Sequence, residues 1–317
     1  MNVLSKAFIP LFIMKAEDIP YIYNSISEFQ RDMSLPKPLH PLMSVVRLED
    51  IQFNAERIGT KIALNFYKIS FIEGGNRKIR YGQTYFDFDE GGLFFISPGQ
   101  VISVGSPTEN LCGLTIYLHP DLIRNHSLGK KIKDYGFFSY SIVEALHLSE
   151  KEKNIILGLF HQIQMELDSA IDTFSQELLA SYVELLLDYS NRFYTRQFIT
   201  RKTAHNNLLD KLDMLLSDYF QSGKALHNGL PTVQFVSEQL NFSSDYLSDM
   251  LRTYTGQSTQ QHIHNKLIEV AKELISTSNL TIAEVAYQLG FEHPQSFTKL
   301  FKQKTDLSPM VFRHSFN

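Results

Sequence analysis

Gln295, Thr298 and Lys299 stand three and four residues apart near the end of the chain. On a helix that spacing sets an amide, a hydroxyl and an ammonium side by side. Such groups can read a base pair through the major groove: Gln pairs bidentately with adenine, Lys bonds guanine, and Thr meets the thymine methyl. Lys302 and Lys304 follow, where ammonium groups can hold phosphates and carry no sequence information. Asp245, Ser248, Asp249 and Arg252 occupy the matching places earlier in the chain, the first three as base contacts and Arg252 as a phosphate contact. Two acids sit poorly beside phosphate. They could accept from cytosine amino groups, or that face docks weakly, which leaves the later set as the stronger reader. From Thr298 to Asn317 the bases Lys299, Lys302, Lys304 and Arg313 meet a single acid, Asp306. A lone lysine on a helix is usually scattered surface charge, so the case rests on the set and on the elements that hold it.

Those elements occur twice. Thr232-Val-Gln-Phe-Val-Ser-Glu-Gln-Leu-Asn-Phe242 returns 49 residues on as Thr281-Ile-Ala-Glu-Val-Ala-Tyr-Gln-Leu-Gly-Phe291. The echo continues, with one residue inserted, as Tyr246-Leu247 to Leu251-Arg252 against Ser296-Phe297 to Phe301-Lys302. Each copy reads as a short helix, a tight turn and a second helix, the helix-turn-helix that places its second helix in a DNA groove. Thr281 and Glu284 form a capping box at a helix start. Gly290 stands where the turn calls for a left-handed backbone, and Asn241, among the next best residues for it, holds that place in the first copy. Second helices are predicted from Ser244 and Pro294, since proline suits the first helical position. Phe242 and Phe291, Leu247 and Phe297, and Leu251 and Phe301 mark the inward face. Between the copies, Ser258 to Ser276 carries apolar residues at helical spacing and would span about 27 Å, a spacer for two probes on one side of a duplex.

Residues 208–317 resemble the DNA-binding domain of the AraC/XylS family of bacterial transcription regulators. The pieces that carry the resemblance are Ile282-Ala-Glu-Val-Ala286, Gly290-Phe291, Phe297-Thr-Lys-Leu-Phe301-Lys302 and Ser308-Pro-Met-Val-Phe-Arg313. Two positions depart from the family pattern. Leu267, beside Lys266, stands where an arginine is common, and Asp306 stands where glycine is usual after the last recognition helix, although Gly256 is kept in the first copy. The resemblance implies promoter DNA and RNA polymerase as partners, activation more than repression, and control by a small-molecule effector, a partner protein or dimerisation alone.

The N-terminal half has a different texture. Residues 40–120 hold short apolar runs broken by Gly, Pro and Asn, from Ile62–Ile72 through Lys78–Tyr81, Tyr85–Phe88, Leu93–Ile96 and Val101–Val104 to Leu111–Leu118. That punctuation predicts a sandwich or barrel, with a cupin-like β-barrel preferred. Tyr67, Phe71, Arg80, Tyr81, Tyr85 and Phe88 are candidates for an effector pocket, although aromatics on strands are more often core. Ser149 and Glu152 form a second capping box, and two apolar stripes follow, Ile155 to Leu167 and Leu178 to Tyr189. They predict an antiparallel helical pair over 149–198 that covers the barrel and offers a homodimer interface. The expected architecture is thus α+β with two domains: a cupin-like regulatory and dimerisation domain over 1–200, a polar linker over 201–207, and an all-α tandem helix-turn-helix domain over 208–317.

Composition bounds the alternatives. The 317 residues carry a net charge of −4, so positive potential must be local. One cysteine, Cys112, fits a cytoplasmic protein. Ala7–Met14 is apolar, yet Pro10 interrupts it and Lys15, Glu17 and Asp18 follow without a cleavage pattern, so neither a signal peptide nor a membrane span is expected. Residues 41–118 contain no histidine, which removes the ligand set of a metal-dependent cupin, and His40 and His119 only flank the region. No phosphate loop, Gly-x-Ser-x-Gly or Cys-x-x-Cys occurs. No metal, cofactor or enzyme activity is expected. The remaining alternative is a barrel enzyme or small-molecule-binding protein with a helical interaction domain.

Overall fold

A computed structural model describes residues 19–52, 58–73, 79–81, 84–86, 91–104, 112–141, 144–200 and 202–315. The chain divides into two compact units. Unit 1 takes residues 1–134 and 147–187, and unit 2 takes 135–146 and 188–317.

The strands and helices of unit 1 begin with β1 (Tyr21–Tyr23), α1 (Ile26–Asp32) and β2 (Met43–Arg47), then β3 (Lys61–Leu64), β4 (Tyr67–Glu73), β5 (Ile79–Tyr81) and β6 (Thr84–Phe86). They continue with β7 (Gly92–Ile96), β8 (Val101–Ser103), β9 (Cys112–Leu118), α2 (Pro120–Ile123), α3 (Leu128–Lys131) and α4 (Glu150–Asp168), while the two-residue edge strand β10 (Leu146–His147) falls at the chain boundary of the units. The single run expected over Ile62–Ile72 is two strands. It breaks at Asn65 and Phe66, and β3 and β4 enter different sheets. One sheet runs β1-β3-β8, the second runs β10-β7-β4-β9-β2, and β5 pairs with β6. Among the described residues these sheets do not close, so the expected β-barrel is instead a set of open sheets. Closure needs every strand edge to be paired around the ring, whereas β2 pairs only with β9, Met43 opposite Leu118 and Arg47 opposite Leu114. Interlocked rings fill the core between α1 and the strands: Phe29 meets Tyr23 at 5.2 Å and Tyr117 at 5.0 Å, and Phe66 meets Tyr117 at 5.7 Å.

The capping box at α4 forms, with the Ser149 N–H donating to Glu152 Oε2 at 2.9 Å. The helix then buries Ile156, Leu159, Phe160, Ile163 and Leu167. Helix α5 spans Ser175–Thr200, and its unit 1 portion buries Leu179, Val183, Leu186 and Leu187.

Unit 2 is helical. After a 3-10 turn over Gly136–Ser139 and the end of α5 come α6 (Lys202–Gln221), α7 (Lys224–Asn228), α8 (Val233–Leu240), α9 (Ser244–Thr255) and α10 (Thr259–Thr277). The series closes with α11 (Ile282–Gln288), α12 (Pro294–Thr305) and α13 (Pro309–His314). The stretch read as a linker, 201–207, is therefore helical from Lys202 onward. Its polarity had suggested a loop, but Lys, Ala and the leucines that follow are good helix formers. The core gathers Leu267, Ala271, Val285, Ala286, Phe297 and Phe301. Leu267, the departure noted in the sequence, is fully buried.

Candidate nucleic-acid interface

The two copies repeat at the level of single hydrogen bonds. Thr232 caps α8 by accepting the Phe235 N–H at 3.1 Å, and Thr281 caps α11 by accepting the Glu284 N–H at 3.2 Å. The Thr281 N–H returns a bond to Glu284 at 2.7 Å. Bonds from the Thr281 backbone and hydroxyl hold the Glu284 carboxyl below its usual range. At the turns, Phe242 N donates to the Ser237 carbonyl at 2.9 Å and Phe291 N to the Ala286 carbonyl at 3.0 Å. This six-to-one bond marks a helix end that passes through a left-handed residue.

The second helices begin at Ser244 and Pro294, as the pattern predicts, and each is 12 residues long. Both also end alike. Gly256 has φ 73° and donates to the Arg252 carbonyl at 2.9 Å; Asp306 has φ 60° and donates to the Lys302 carbonyl at 2.9 Å. Asp306 thus takes the left-handed cap that glycine usually fills, which aspartate tolerates better than most residues. Helix α10 has 19 residues and a length of about 28 Å.

Packing decides which side chains remain outside. Helix α12 buries Phe297 and Phe301 and leaves Gln295, Lys299, Lys302 and Lys304 exposed. Thr298 is half-buried, its hydroxyl donating to the Pro294 carbonyl at 3.0 Å. The Lys304 ammonium lies 3.4 Å from Asn265 Oδ1. Arg313, grouped with these bases in the sequence, serves a different purpose: its Nε donates to the Ile275 carbonyl at 3.2 Å, near the end of α10.

Helix α9 buries Tyr246, Leu247, Met250 and Leu251. Its outward set is less free. Asp245 is exposed, but the Ser248 hydroxyl lies 3.0 Å from that of Thr259. Asp249 Oδ1 accepts from Arg252 at 2.7 Å, and its Oδ2 accepts the Tyr140 hydroxyl at 2.6 Å. Burial, reinforced by the Asp249 carboxylate, pushes the Tyr140 phenol far above its usual range, so it remains a donor. Glu144 adds two bonds at the start of α9, accepting from the Ser243 N–H at 2.7 Å and the Ser243 hydroxyl at 2.6 Å. Sequence reasoning missed Tyr140 and Glu144, which lie in an aromatic stretch with neither a two- nor a 3.6-residue period.

In unit 1, the proposed pocket residues fall on separate sheets. Tyr67 and Phe71 share one face of β4, since side chains alternate along a strand. Tyr67 is half-buried and its phenol is raised by burial, while Phe71 is fully buried. Arg80 pairs directly with Tyr85 across β5 and β6, with Tyr81 opposite Thr84. Phe88 lies outside the described residues. The opposite face of β4 carries Lys68 and Ser70 before the buried Ile72, with the Ser70 hydroxyl 2.8 Å from that of Thr115. A cavity of about 330 Å³ lies elsewhere, along β2 and α4, lined by Gln30, Lys37, Met43, Ser44, Arg47 and Gln164 among others. Gln30 is buried, its amide nitrogen donating to Ser44 at 2.6 Å while its Oε1 has no partner.

Two family models match the chain, a helix-turn-helix domain over residues 236–315 and an AraC-like ligand binding domain over 60–185. The HTH-type transcriptional regulator YfiF of Bacillus subtilis is 24% identical over 258 residues, covering 78% of this chain and 77% of that protein. The HTH-type transcriptional activator RhaR of Salmonella dublin is 30% identical over 115 residues, covering 36% of this chain and 38% of RhaR. Among solved structures, the C-terminal domain of the response regulator yesN from Fusobacterium nucleatum is 31% identical, covering 32% of this chain and 95% of that one, with a TM-score of 0.28. The tandem helices and the two matches define a transcription regulator with a DNA-binding unit and a ligand-binding unit. The chain belongs to the AraC family. No helix among the described residues is long and apolar enough to cross a membrane.

Proposed function

We propose that this chain is a sequence-specific regulator that sets α9 and α12 into two successive major-groove segments of promoter DNA, with α12 the principal reader. The observation that carries this is the exposed row Gln295, Lys299 and Lys302 on a helix that repeats α9 in length and in its left-handed C-cap. Gln295, Thr298 and Lys299 lie toward its N-terminal part, the part that meets base edges; Lys302 and Lys304 lie toward its end, beside the backbone. Asp245, Ser248 and Asp249 are the weaker base contacts of the first copy, and Arg252 a phosphate contact.

The ligand-binding unit would bias this activity through an effector that binds one arrangement of the chain better than another. The cavity along β2 and α4 suits a small polar effector, because Lys37, Ser44, Arg47 and Gln164 on its wall can pair with one. Phe174, Leu178 and Leu185 are 70%, 43% and 46% exposed on the α5 side of the helical pair, and such a stripe favours a homodimer. Activation through RNA polymerase, in the cytoplasm, completes the reading.

A mobility-shift titration of the full chain on DNA selected by it tests the assignment. Gln295→Ala with Lys299→Ala should abolish the preference for that DNA over scrambled duplex. An unchanged preference would refute the base-contact roles.

A further inference from the structure

We infer that residues 135–141, with Glu144 and Ala145, form a latch over the base-reading face of α9, one that must lift before the first helix-turn-helix can enter a groove. The inference rests on the DNA-reading function proposed above and names a control of it.

The contacts fall on the part of the helix that DNA would use. Ser243 is the N-cap of α9, and both Glu144 carboxylate oxygens engage it: Oε1 takes the Ser243 N–H at 2.7 Å and Oε2 the hydroxyl at 2.6 Å. Glu144 is 3% exposed, and its Oε2 also accepts the Ser141 N–H at 2.7 Å. A helix start offers its free N–H groups to an anion, and here that anion is the chain's own carboxylate. One turn further on, the Tyr140 hydroxyl holds Asp249 and the Tyr140 ring packs edge-on against Tyr246 at 5.1 Å. Gly136 lies directly on the Asp249 carboxylate, so close that an added Cβ would collide with Oδ2. No base edge fits between them.

The far side of the segment is tied to the end of α5. Tyr194 donates to the Glu144 carbonyl at 3.2 Å, Gln197 donates to the Ala145 carbonyl at 3.3 Å, and the Phe137 ring stacks on Tyr194 at 5.5 Å. By sequence the segment lies within the 60–185 ligand-binding match, yet it folds with the helical unit. The latch also accounts for an acid at a base-reading position: Asp249 is a poor neighbour for phosphate and a strong acceptor for a tyrosine hydroxyl. On α12, Gln295 and Lys299 are exposed, so the second reader can engage while the first is covered.

A covered first reader lowers the apparent affinity by the fraction of molecules that are open. Removing a hydrogen bond to a charged acceptor shifts such an equilibrium by about tenfold. The test compares the full-length chain with its Tyr140→Phe, Glu144→Gln variant on DNA selected by the wild type. Fluorescence anisotropy gives affinity and hydroxyl-radical footprinting gives extent. Both substitutions lie outside the repeats and remove no DNA contact. The latch predicts binding tighter by about tenfold or more, with protection extended over the half read by α9. Equal or weaker binding with an unchanged footprint, while the wild type still selects its sequence, would overturn the latch alone. Failure of both chains to select any sequence would overturn the DNA reading, and the latch with it. Should the double variant lose its cooperative thermal transition, Tyr140→Phe alone, which keeps the ring packing on Tyr194 and Tyr246, carries the comparison with the same expected direction.

Discussion

Asn241 and Gly290 hold the same left-handed turn, one in each copy of the DNA-reading repeat, with φ of 61° and 92°. Their surroundings differ. A Cβ on Gly290 would lie 2.7 Å from the Gly229 carbonyl carbon and 2.8 Å from the Ala225 carbonyl oxygen, both rigid backbone. Gly290→Ala should therefore combine backbone strain with a collision and cost on the order of 2–4 kcal/mol. Asn241→Gly should stay within about 1 kcal/mol of wild type, because glycine accepts the same turn. Urea denaturation of the two variants checks the contrast; a Gly290→Ala cost no larger than that of Asn241→Gly would mean that the approach of Gly229 and Ala225 does not require glycine at 290.

Base and phosphate contacts should separate by their salt dependence. Lys302→Ala and Lys304→Ala should weaken binding to selected and scrambled DNA alike, each lowering the slope of log affinity against log salt by about 1. Lys299→Ala should instead lower the preference between the two by about 1–3 kcal/mol. Anisotropy titrations at several salt concentrations measure both. A loss of preference on Lys302→Ala would move the base-reading face toward the end of α12.

The repeat was legible in the sequence because everything that fixes it is local. The Thr232 and Thr281 caps, the left-handed positions and the buried Leu247, Phe297, Leu251 and Phe301 all act within one or two turns. The sheets were less legible because their pairings are distant. Strand β2, Met43–Arg47, is defined by β9, and β1 by a parallel partner, β3, so neither carries a signal of its own. The run from Ile62 to Ile72 hid a break at Asn65 and Phe66, since both of its parts are apolar enough to be strands. The helix position of Asp249 was legible as outward-facing; only the fold brings Tyr140 to it.

The exposed apolar residues on α5 should govern assembly. Leu178→Glu with Leu185→Glu leaves the buried Leu179, Val183 and Leu186 untouched, so the fold should survive while self-association weakens by tenfold or more. Sedimentation velocity of the full chain reads the change. A variant that sediments like the wild type at every concentration would remove this stripe from the dimer interface.

Lys68 on β4 gives a pH signature for unit 1. Burial draws its ammonium down to about 8 from the ordinary 10.5, with the Phe94 ring 5.4 Å from the nitrogen. The folded state prefers the neutral amine. The charged form therefore costs stability below pH 8, and that cost fades as pH rises from about 8 to about 10.5. Lys68→Met should be more stable than wild type at pH 7 by on the order of 2–3 kcal/mol, and the gap should shrink by pH 10. Denaturation midpoints across that range test it; a gap independent of pH would show that packing, not charge, sets the difference.

Selection of binding sequences from a random duplex pool by the full-length chain, followed by guanine-methylation interference on the enriched DNA, addresses the central claim most directly. A patch of major-groove interference that Lys299→Ala removes, with a weaker patch about one helical turn away on the same side of the duplex that strengthens in Tyr140→Phe, Glu144→Gln, is the predicted outcome. A pool that stays random after selection, or interference that Lys299→Ala leaves unchanged, would contradict it.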